Sequence, residues 1–130
     1  RGAPVPGFEK ETAPRRVSIA EYVEKTQRSC AVFNTPAVSG CHGWKLGEFL
    51  ALGKAIVSTP LSRELPAPLI HGEHLHLVDG TRESMEEALH EISSQGEYRR
   101  HLEEGARRYY STHLGPERVV AKIFEAAASK

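Results

Sequence analysis

The chain has 130 residues, of which 39% are hydrophobic and 26% are charged, and its 17 basic and 17 acidic residues cancel to a formal net charge of zero. This length is sufficient for one domain with a buried core, and the composition is ordinary for a soluble globular protein. A balanced charge argues against nucleic-acid binding, which normally requires a basic face, and no apolar run approaches the ~20 residues of a membrane span.

The first 16 residues contain three prolines and two glycines and show no hydrophobic periodicity. They predict an irregular N-terminal segment or linker over residues 1–16, followed by a single domain over residues 17–130. The chain begins at Arg1 without a methionine or a signal-like segment, so we expect a fragment or a processed chain.

A helix is predicted over residues 19–28 because Ser18 and Glu21 have the spacing of a capping box. Its expected buried face consists of Ile19, Tyr22, Val23 and Thr26. The apolar run Ala31–Phe33 follows and is typical of a strand covered on both faces in a parallel sheet. Pro36 cannot donate to a strand ladder and disfavours helix at the preceding residue, so the strand should end before it.

The centre of the chain predicts a compact βαβ unit. After the strand Ala31–Phe33 come a glycine-rich loop (Thr35–Trp44), a helix (Lys45–Leu52), a glycine stop at Gly53 and a second apolar strand (Ala55–Val57). The loop leads directly into the N-terminus of the helix. Unpaired backbone N–H groups and the positive end of the helix dipole make such a terminus a site for anions such as phosphate.

The next part of the chain predicts one more strand and one more helix. A proline-rich loop, Ser58–Leu69, precedes a short strand, Leu75–Val78. A helix then begins between Thr81 and Ser84 and is broken at Gln95–Gly96.

Two helices complete the chain. One covers Glu97 to about Thr112, and Gly115–Pro116 starts the last one with proline in its first turn. The last helix is expected to direct four apolar residues inward: Val119, Val120, Ile123 and Phe124.

Strands that alternate with helices imply a parallel sheet with right-handed crossovers. The expected fold class is therefore α/β, with a three-layer Rossmann-like sheet flanked by helices. Only three strands are visible, whereas a complete nucleotide-binding domain of this class needs more strands upstream. We therefore expect further strands of the same sheet upstream of this chain.

The run from Asn34 to Thr59 resembles the donor-binding segment of group 1 (GT4-like) glycosyltransferases with the GT-B fold. The matching positions are Gly43, Glu48, Leu50–Leu52, Gly53 and Ala55–Ser58. The resemblance continues at Glu64 and at His76–Gly80, and it covers roughly residues 18–130.

This resemblance implies the C-terminal half of a GT-B fold, which binds a nucleotide-diphosphate sugar for transfer to a glycan or glycolipid acceptor. It implies no bound cofactor and no metal, because GT-B enzymes generally work without one. The acceptor site and any general base would lie in a missing N-terminal domain, so no catalytic residue is assigned here. We expect a cytoplasmic enzyme, with peripheral membrane contact through the full-length protein, and an inactive fragment.

The candidate nucleotide-binding residues are His42, Gly43, Trp44, Lys45, Glu48, Ser58 and Thr59. Glu48 would accept hydrogen bonds from the ribose diol, and Lys45 would contact the diphosphate. Ser58 and Thr59 belong near the same site because ligands of open α/β sheets bind beyond the carboxyl ends of the strands.

Simpler alternatives exist for four of these residues. Glu48 and Lys45 could be solvated surface charges, His42 could be a loop imidazole without a ligand, and Trp44 could pack against the protein instead of stacking on the base. The family usually has a second glutamate eight positions before Glu48, where this chain has Gly40. This departure favours the alternative function, a non-catalytic α/β module that binds a ligand or a protein.

Two further groups of residues could bind a metal or form a disulfide. Four residues, His71, Glu73, His74 and His76, have a spacing that could suit zinc, but the ligand set is incomplete, so we expect no metal site. Cys30 leads into a buried strand and Cys41 lies on the predicted ligand loop, so we expect free thiols and a reducing compartment.

Overall fold

A computed structural model describes residues 6–7, 9–10 and 17–129. Within these residues the helices and strands are α1 (Ile19–Arg28), β1 (Val32–Asn34), α2 (Trp44–Leu52), β2 (Ile56–Ser58), β3 (His76–Leu77), α3 (Arg82–Ser94), α4 (Gly96–Tyr109) and α5 (Pro116–Ala128). A 3₁₀ turn (Val38–Gly40) precedes α2, and a π-helical turn (Tyr110–Leu114) joins α4 to α5. The predicted irregular segment, residues 1–16, lies outside the described residues except for two short turns.

The three strands form one parallel sheet in the order β1-β2-β3. Val32 of β1 pairs with Ile56, and Val57 of β2 pairs with His76. This confirms an α/β protein with a small parallel sheet. The third strand is shorter than predicted because the chain before it turns tightly, with the Gly72 amide donating to the Leu75 carbonyl at 2.8 Å.

Two apolar clusters lie on the two faces of the sheet, because successive side chains of a strand point to opposite sides. The first contains Val32, Leu46, Phe49, Leu50, Ile56, Leu75, Ala106 and Tyr109. The second contains Ala55, Val57, Val78, Ala88, Ile92 and Leu102. Helix α2 therefore packs on one face, α3 packs on the other, and α4 contributes residues to both clusters.

Helix α2 ends where the sequence predicts. Gly53 has φ +60°, and a Cβ atom there would lie 2.8 Å from the Arg107 Nε atom. Glycine is the residue that adopts this left-handed backbone without steric cost. The stop allows the chain to turn directly into β2.

Helix α4 approaches the segment before β3 very closely. A Cβ atom added at Gly105 would lie 1.8 Å from the backbone oxygen of Glu73. The missing side chain lets Arg108 of the same helix form an ion pair with Glu73 at 3.3 Å. The helix and the segment are thus held together through backbone contact.

The predicted burial of α5 is wrong. All four apolar residues expected inside are exposed, from 41% for Val119 to 70% for Phe124. The periodicity of a helix shows that it has an apolar face but not what covers that face. In α1, similarly, Ile19 is exposed and only Thr26 of the expected face is buried.

No helix among the described residues is both long enough and apolar enough to cross a membrane.

Candidate functional site

The carboxyl ends of β1 and β2 meet at one edge of the sheet. The Asn34 side chain, which is buried, donates from Nδ2 to the Ser58 hydroxyl at 2.9 Å. That hydroxyl in turn donates to the Thr59 carbonyl at 2.8 Å. Ser58 therefore lies at the predicted edge, but its hydroxyl already accepts from Asn34 of the neighbouring strand and donates to the carbonyl of the next residue.

Thr59 has a different environment from Ser58. Its hydroxyl oxygen is buried, yet it has no hydrogen-bond partner among the described residues. Its methyl group lies 3.6 Å from the position that a Cβ atom would occupy at Gly80, in the turn that follows β3. Native proteins pair nearly all buried polar atoms, so this hydroxyl is an exception among the described residues.

The loop between β1 and α2 is held in one shape by a second loop. The Ser62 hydroxyl donates to the Gly40 carbonyl at 2.7 Å, and Arg63 donates to the Ser39 carbonyl at 3.4 Å. The His42 Nε2 atom lies 3.0 Å from the Arg63 carbonyl, a contact in which the imidazole must donate. His42 thus helps to hold the two loops together, and contact with a ligand stays a prediction.

The backbone at Gly40 leaves little room for a side chain. Ser39 and Gly40 both have left-handed backbone, with φ of +58° and +71°. A Cβ atom at Gly40 would lie 2.6 Å from the Ser62 hydroxyl oxygen. A glutamate at this position would be strained and would displace the contact that holds the loop.

Helix α2 begins at this loop without a side-chain cap. Gly43 is the N-cap residue, and the first turn contains no acidic side chain. Trp44 is 90% exposed, so the interpretation as a packing residue is wrong, and stacking on a base remains a prediction. Lys45 is exposed beside it. An uncapped helix N-terminus with a neighbouring cation favours a bound anion.

A shallow depression of about 320 Å³ lies beside this helix N-terminus. It is lined by His42, Gly43, Trp44, Leu46, Gly47, Leu50, Leu65 and Leu114. The structure therefore brings together the first three candidate residues. The other four candidate residues do not line the depression. Lys45 and Glu48 lie on α2, and Ser58 and Thr59 lie at the edge of the sheet.

Glu48 is exposed one turn into α2. The Tyr22 hydroxyl is close to it: burial, followed by the nearby Glu48 carboxylate, raises the pKa of Tyr22. The Tyr22 oxygen is nevertheless buried without a hydrogen bond of normal geometry to any described residue. Sequence reasoning placed Tyr22 only on a buried helix face and missed its proximity to the candidate carboxylate.

A larger apolar cavity of about 480 Å³ lies next to the depression. Its lining consists of Pro60, Leu61, Arg63, Glu64, Leu65, Pro68, Leu69, Leu75 and Leu77. Leu65 lines both spaces, so the two adjoin. Sequence reasoning treated residues 58–69 as a plain loop, although leucine recurs there every fourth residue at positions 61, 65 and 69.

The histidines near β3 are used for packing and hydrogen bonds. The Ile70 amide donates to His74 Nδ1 at 3.0 Å, and the His74 ring packs against Tyr109 with ring centroids 5.2 Å apart. His76 Nδ1 lies 2.9 Å from the Tyr98 hydroxyl. The described residues contain no group of three or more side chains arranged to bind a metal ion.

A third turn at the same sheet edge is organised by Asp79. One carboxylate oxygen accepts from the Thr81 amide at 2.8 Å and from the Thr81 and Ser84 hydroxyls. Hydrogen bonds from Ser84 and then Thr81 lower the pKa of Asp79 to about 2. The hydrogen bonds of Asp79 thus go to the residues that begin α3.

No protein-family model matches this chain, and searches of curated proteins and of solved structures found no match either. The structure itself shows an α/β protein in which the loop after β1 leads into a helix N-terminus without a side-chain cap. Any narrower assignment depends on the residues themselves.

Proposed function

We propose that this chain is the C-terminal, donor-binding half of a GT-B glycosyltransferase, built as a three-layer Rossmann-like domain around its small parallel sheet. The observation that carries the proposal is the start of α2. An uncapped helix N-terminus follows a parallel strand, and the same helix presents an exposed carboxylate, Glu48, one turn further on. Phosphate and ribose are groups that these two features bind.

In this proposal the diphosphate of the donor lies against the first turn of α2. The backbone N–H groups, the helix dipole and the Lys45 ammonium neutralise the leaving group, on which negative charge develops in the transition state. The exposed Trp44 ring offers a surface for the base. Glu48 accepts hydrogen bonds from the ribose hydroxyls, which sets the orientation of the nucleotide.

The unpaired Thr59 hydroxyl supports a ligand at the edge of the sheet. Ser58 would support the site indirectly, because its hydroxyl is already used by Asn34 and Thr59. His42 would act in the same indirect way by holding the loop through Arg63. In this site Lys45 and Glu48 on α2 and Thr59 at the sheet edge would contact the donor directly.

The acceptor, a glycan or a lipid-linked sugar, and any general base would be supplied by a separate N-terminal domain. The reaction would need no metal and no further cofactor, in line with the GT-B enzymes that the segment resembles. A cytoplasmic location with peripheral membrane contact fits such an enzyme. Nucleic acid is not a proposed partner, given the zero formal net charge.

One observation favours a second candidate, a non-catalytic binding module. The backbone at Gly40 does not accommodate the glutamate that faces the donor sugar in the family. The apolar cavity of about 480 Å³ beside the loop would then be the ligand or protein site. This module would bind no nucleotide, which separates it from the first proposal.

Replacing Glu48 tests the proposed function directly. Glu48→Ala removes the hydrogen bonds to the ribose, and we expect a net loss of roughly 1.5 to 3 kcal/mol, or about ten- to hundredfold weaker affinity for UDP or GDP. Titrations followed by amide NMR shifts measure affinities in the millimolar range. Glu87→Ala, which changes an exposed glutamate on α3, is the matched control and should leave the affinity unchanged.

Two results would contradict the proposal. One is the absence of shifts around Gly43 and Lys45 in the wild-type chain at millimolar UDP and GDP. The other is an equal affinity of wild type and Glu48→Ala. The fold of the variant should persist, because an exposed helix position tolerates alanine well.

A further inference from the structure

Two histidine side chains hold the short segment that leads into and includes β3, residues 70–77, here called the histidine segment. The Ile70 amide donates to His74 Nδ1 at 3.0 Å, and the Leu77 amide donates to His71 Nδ1 at 2.9 Å. In both bonds the donor is a backbone N–H, so the imidazole nitrogen has to be the acceptor. Each histidine therefore holds the segment only while its Nδ1 atom carries no proton.

The Leu77 amide lies on the open edge of the sheet. β3 is an outer strand in the order β1-β2-β3, and the next amide, that of Val78, donates toward β2, to the Ser58 carbonyl at 2.9 Å. Successive amides of a strand point to opposite sides within the plane of the sheet, so the Leu77 amide points away from β2. The His71 ring takes the place that a carbonyl of a further strand would take.

Both ring nitrogens of His74 have partners. Nε2 lies 3.5 Å from the Glu73 carboxylate, which also pairs with Arg108 of α4 at 3.3 Å. Because Nδ1 is the acceptor, the proton of the neutral ring is on Nε2, toward that carboxylate. Tyr109 of α4 packs against the ring with centroids 5.2 Å apart. A second proton on Nδ1 would face the Ile70 N–H and break that hydrogen bond.

The charged groups around His74 come from three parts of the chain. Burial has the largest effect and lowers the pKa of His74, while the neighbouring Glu73 carboxylate opposes it. Arg108 of α4 and His113 of the π-helical turn lower the pKa further. His74 is therefore neutral at pH 7 and takes up a proton below the ordinary histidine value of 6.5.

His71 has a second imidazole as its neighbour. Its ring meets the His76 ring edge-on, with centroids 4.8 Å apart. His76 in turn lies 3.9 Å from the Glu91 carboxylate of α3 and 2.9 Å from the Tyr98 hydroxyl of α4. Two adjacent imidazoles repel each other when both are charged. Acidification therefore weakens the contact at the sheet edge as well as the bond to His74.

The histidine segment also forms one wall of the larger apolar cavity. Leu75 and Leu77 belong to the segment and Leu69 directly precedes it, and all three line the space of about 480 Å³. Leu75 is fully buried in this arrangement. A displacement of the segment would open the cavity and expose this side chain.

We propose that His71 and His74 form a pH-sensitive clasp: as neutral rings they close the histidine segment over the apolar cavity, and their protonation releases the segment and opens the cavity to apolar ligands. A protonated imidazole has two N–H donors and no acceptor, so it loses the bond to the backbone amide and places one N–H against another. The opening is local, because the pairing of β1 with β2 uses neither ring. The clasp does not depend on nucleotide binding.

NMR of the ¹⁵N-labelled chain measures the clasp in the folded protein. At pH 7.5 we expect a spin coupling between the Ile70 amide nitrogen and His74 Nδ1, and a second one between the Leu77 amide nitrogen and His71 Nδ1, because each hydrogen bond joins two nitrogens. Both couplings should be lost at pH 5, while the amide signals of α2 and β2 keep their folded positions.

Nile red, an uncharged apolar dye, reports on the cavity without responding to the charge of the protein. Its affinity should be about three- to tenfold higher at pH 5 than at pH 7.5, because the loss of one hydrogen bond raises the open population by that factor.

Asparagine variants provide an acceptor that does not titrate. His71→Asn and His74→Asn each place an amide oxygen near the former Nδ1 atom, so the double variant should bind the dye equally at both pH values. His71→Asn alone, at an exposed position, should reduce the pH effect and serves if the buried substitution prevents folding. The matched control is His90→Asn at an exposed position of α3, which should keep the wild-type response.

Four results would overturn the clasp. The first is a coupling that is absent at pH 7.5 or persists at pH 5. The second is loss of the couplings together with the folded signals of α2 and β2, because the chain would then unfold as a whole. The third is a dye affinity that does not change with pH in wild type, and the fourth is one that rises equally in wild type and in the asparagine variants.

Discussion

Gly40 shows how a single backbone angle limits what a sequence motif can contain. Its φ of +71° and its approach to Ser62 exclude a normal side chain, although the surrounding residues resemble a segment that has glutamate there. Two consecutive left-handed residues, Ser39 and Gly40, turn the chain so that His42 meets the second loop. The same left-handed backbone therefore sets the loop geometry and restricts which residues position 40 accepts.

A glutamate at position 40 should lower the free energy of unfolding. Gly40→Glu places a side chain in left-handed backbone, and we expect a loss of about 1 to 3 kcal/mol in the free energy of unfolding. Gly47→Ala is the control on the same segment: nothing lies within 4 Å of its Cβ position, and alanine should add about 0.5 to 1 kcal/mol within the helix. Denaturant unfolding measures both, and an unchanged stability of Gly40→Glu would contradict the strain argument.

The segment around β3 shows how one element depends on the protonation of its side chains. His74 accepts a hydrogen bond from the Ile70 amide, which requires an unprotonated Nδ1. Burial lowers the pKa of His74, against the opposing effect of Glu73, with Arg108 and His113 lowering it further. Burial and then His71 lower the pKa of His76, while Glu91 opposes them.

The sign of the pH dependence follows from these lowered pKa values. The unfolded chain binds protons at the ordinary histidine pKa of 6.5, whereas the folded chain binds them only at lower pH. Stability is therefore complete above about pH 6.5 and is lost as the pH falls from there through the lowered folded values.

Denaturant unfolding between pH 7.5 and pH 5 measures this effect. His76→Gln should reduce the slope of stability against pH, because one of the two histidines with a lowered pKa is gone. His90→Gln, at an exposed position of α3, should keep the wild-type slope. Stability that does not fall in wild type over this range would show that neither imidazole is held neutral.

Among the described residues, large apolar side chains are exposed at several places, including the edge strand β1 and helix α5. Phe33 on the edge strand β1 is 37% exposed, and α5 exposes its entire apolar face. Helix α5 follows the π-helical turn, and no residue of α5 is buried. The described residues thus form a folded unit whose core is complete around α2, α3 and α4 but not around α5.

The isolated chain should not turn over any sugar donor. In the proposed function the acceptor site and the general base belong to another domain, so binding of the nucleotide has no reaction partner here. Assays of donor hydrolysis and of transfer with UDP- and GDP-sugars check this. Robust turnover by the chain alone would contradict the assignment as a donor-binding half.

Local patterns in the sequence determined the class of fold and most of the element boundaries. The capping residue Ser18, the left-handed stop at Gly53 and the break at Gln95 act within a few residues of the chain, so their effects were predictable and are confirmed. The apolar runs of β1 and β2 likewise predicted a parallel sheet, which the structure contains. The rule that ligands of open α/β sheets bind beyond the carboxyl ends of the strands drew attention to Ser58 and Thr59, which lie at the end of β2.

Only the tertiary structure decided which of these residues are free to bind a ligand. The Asn34 side chain donates to the Ser58 hydroxyl, and His42 donates to the Arg63 carbonyl. In each case the two residues are more than twenty positions apart in the chain. Periodicity likewise could not show that no residue of α5 is buried. Contacts between distant segments depend on how helices and loops pack, and that information is not contained in the spacing of residues along one segment.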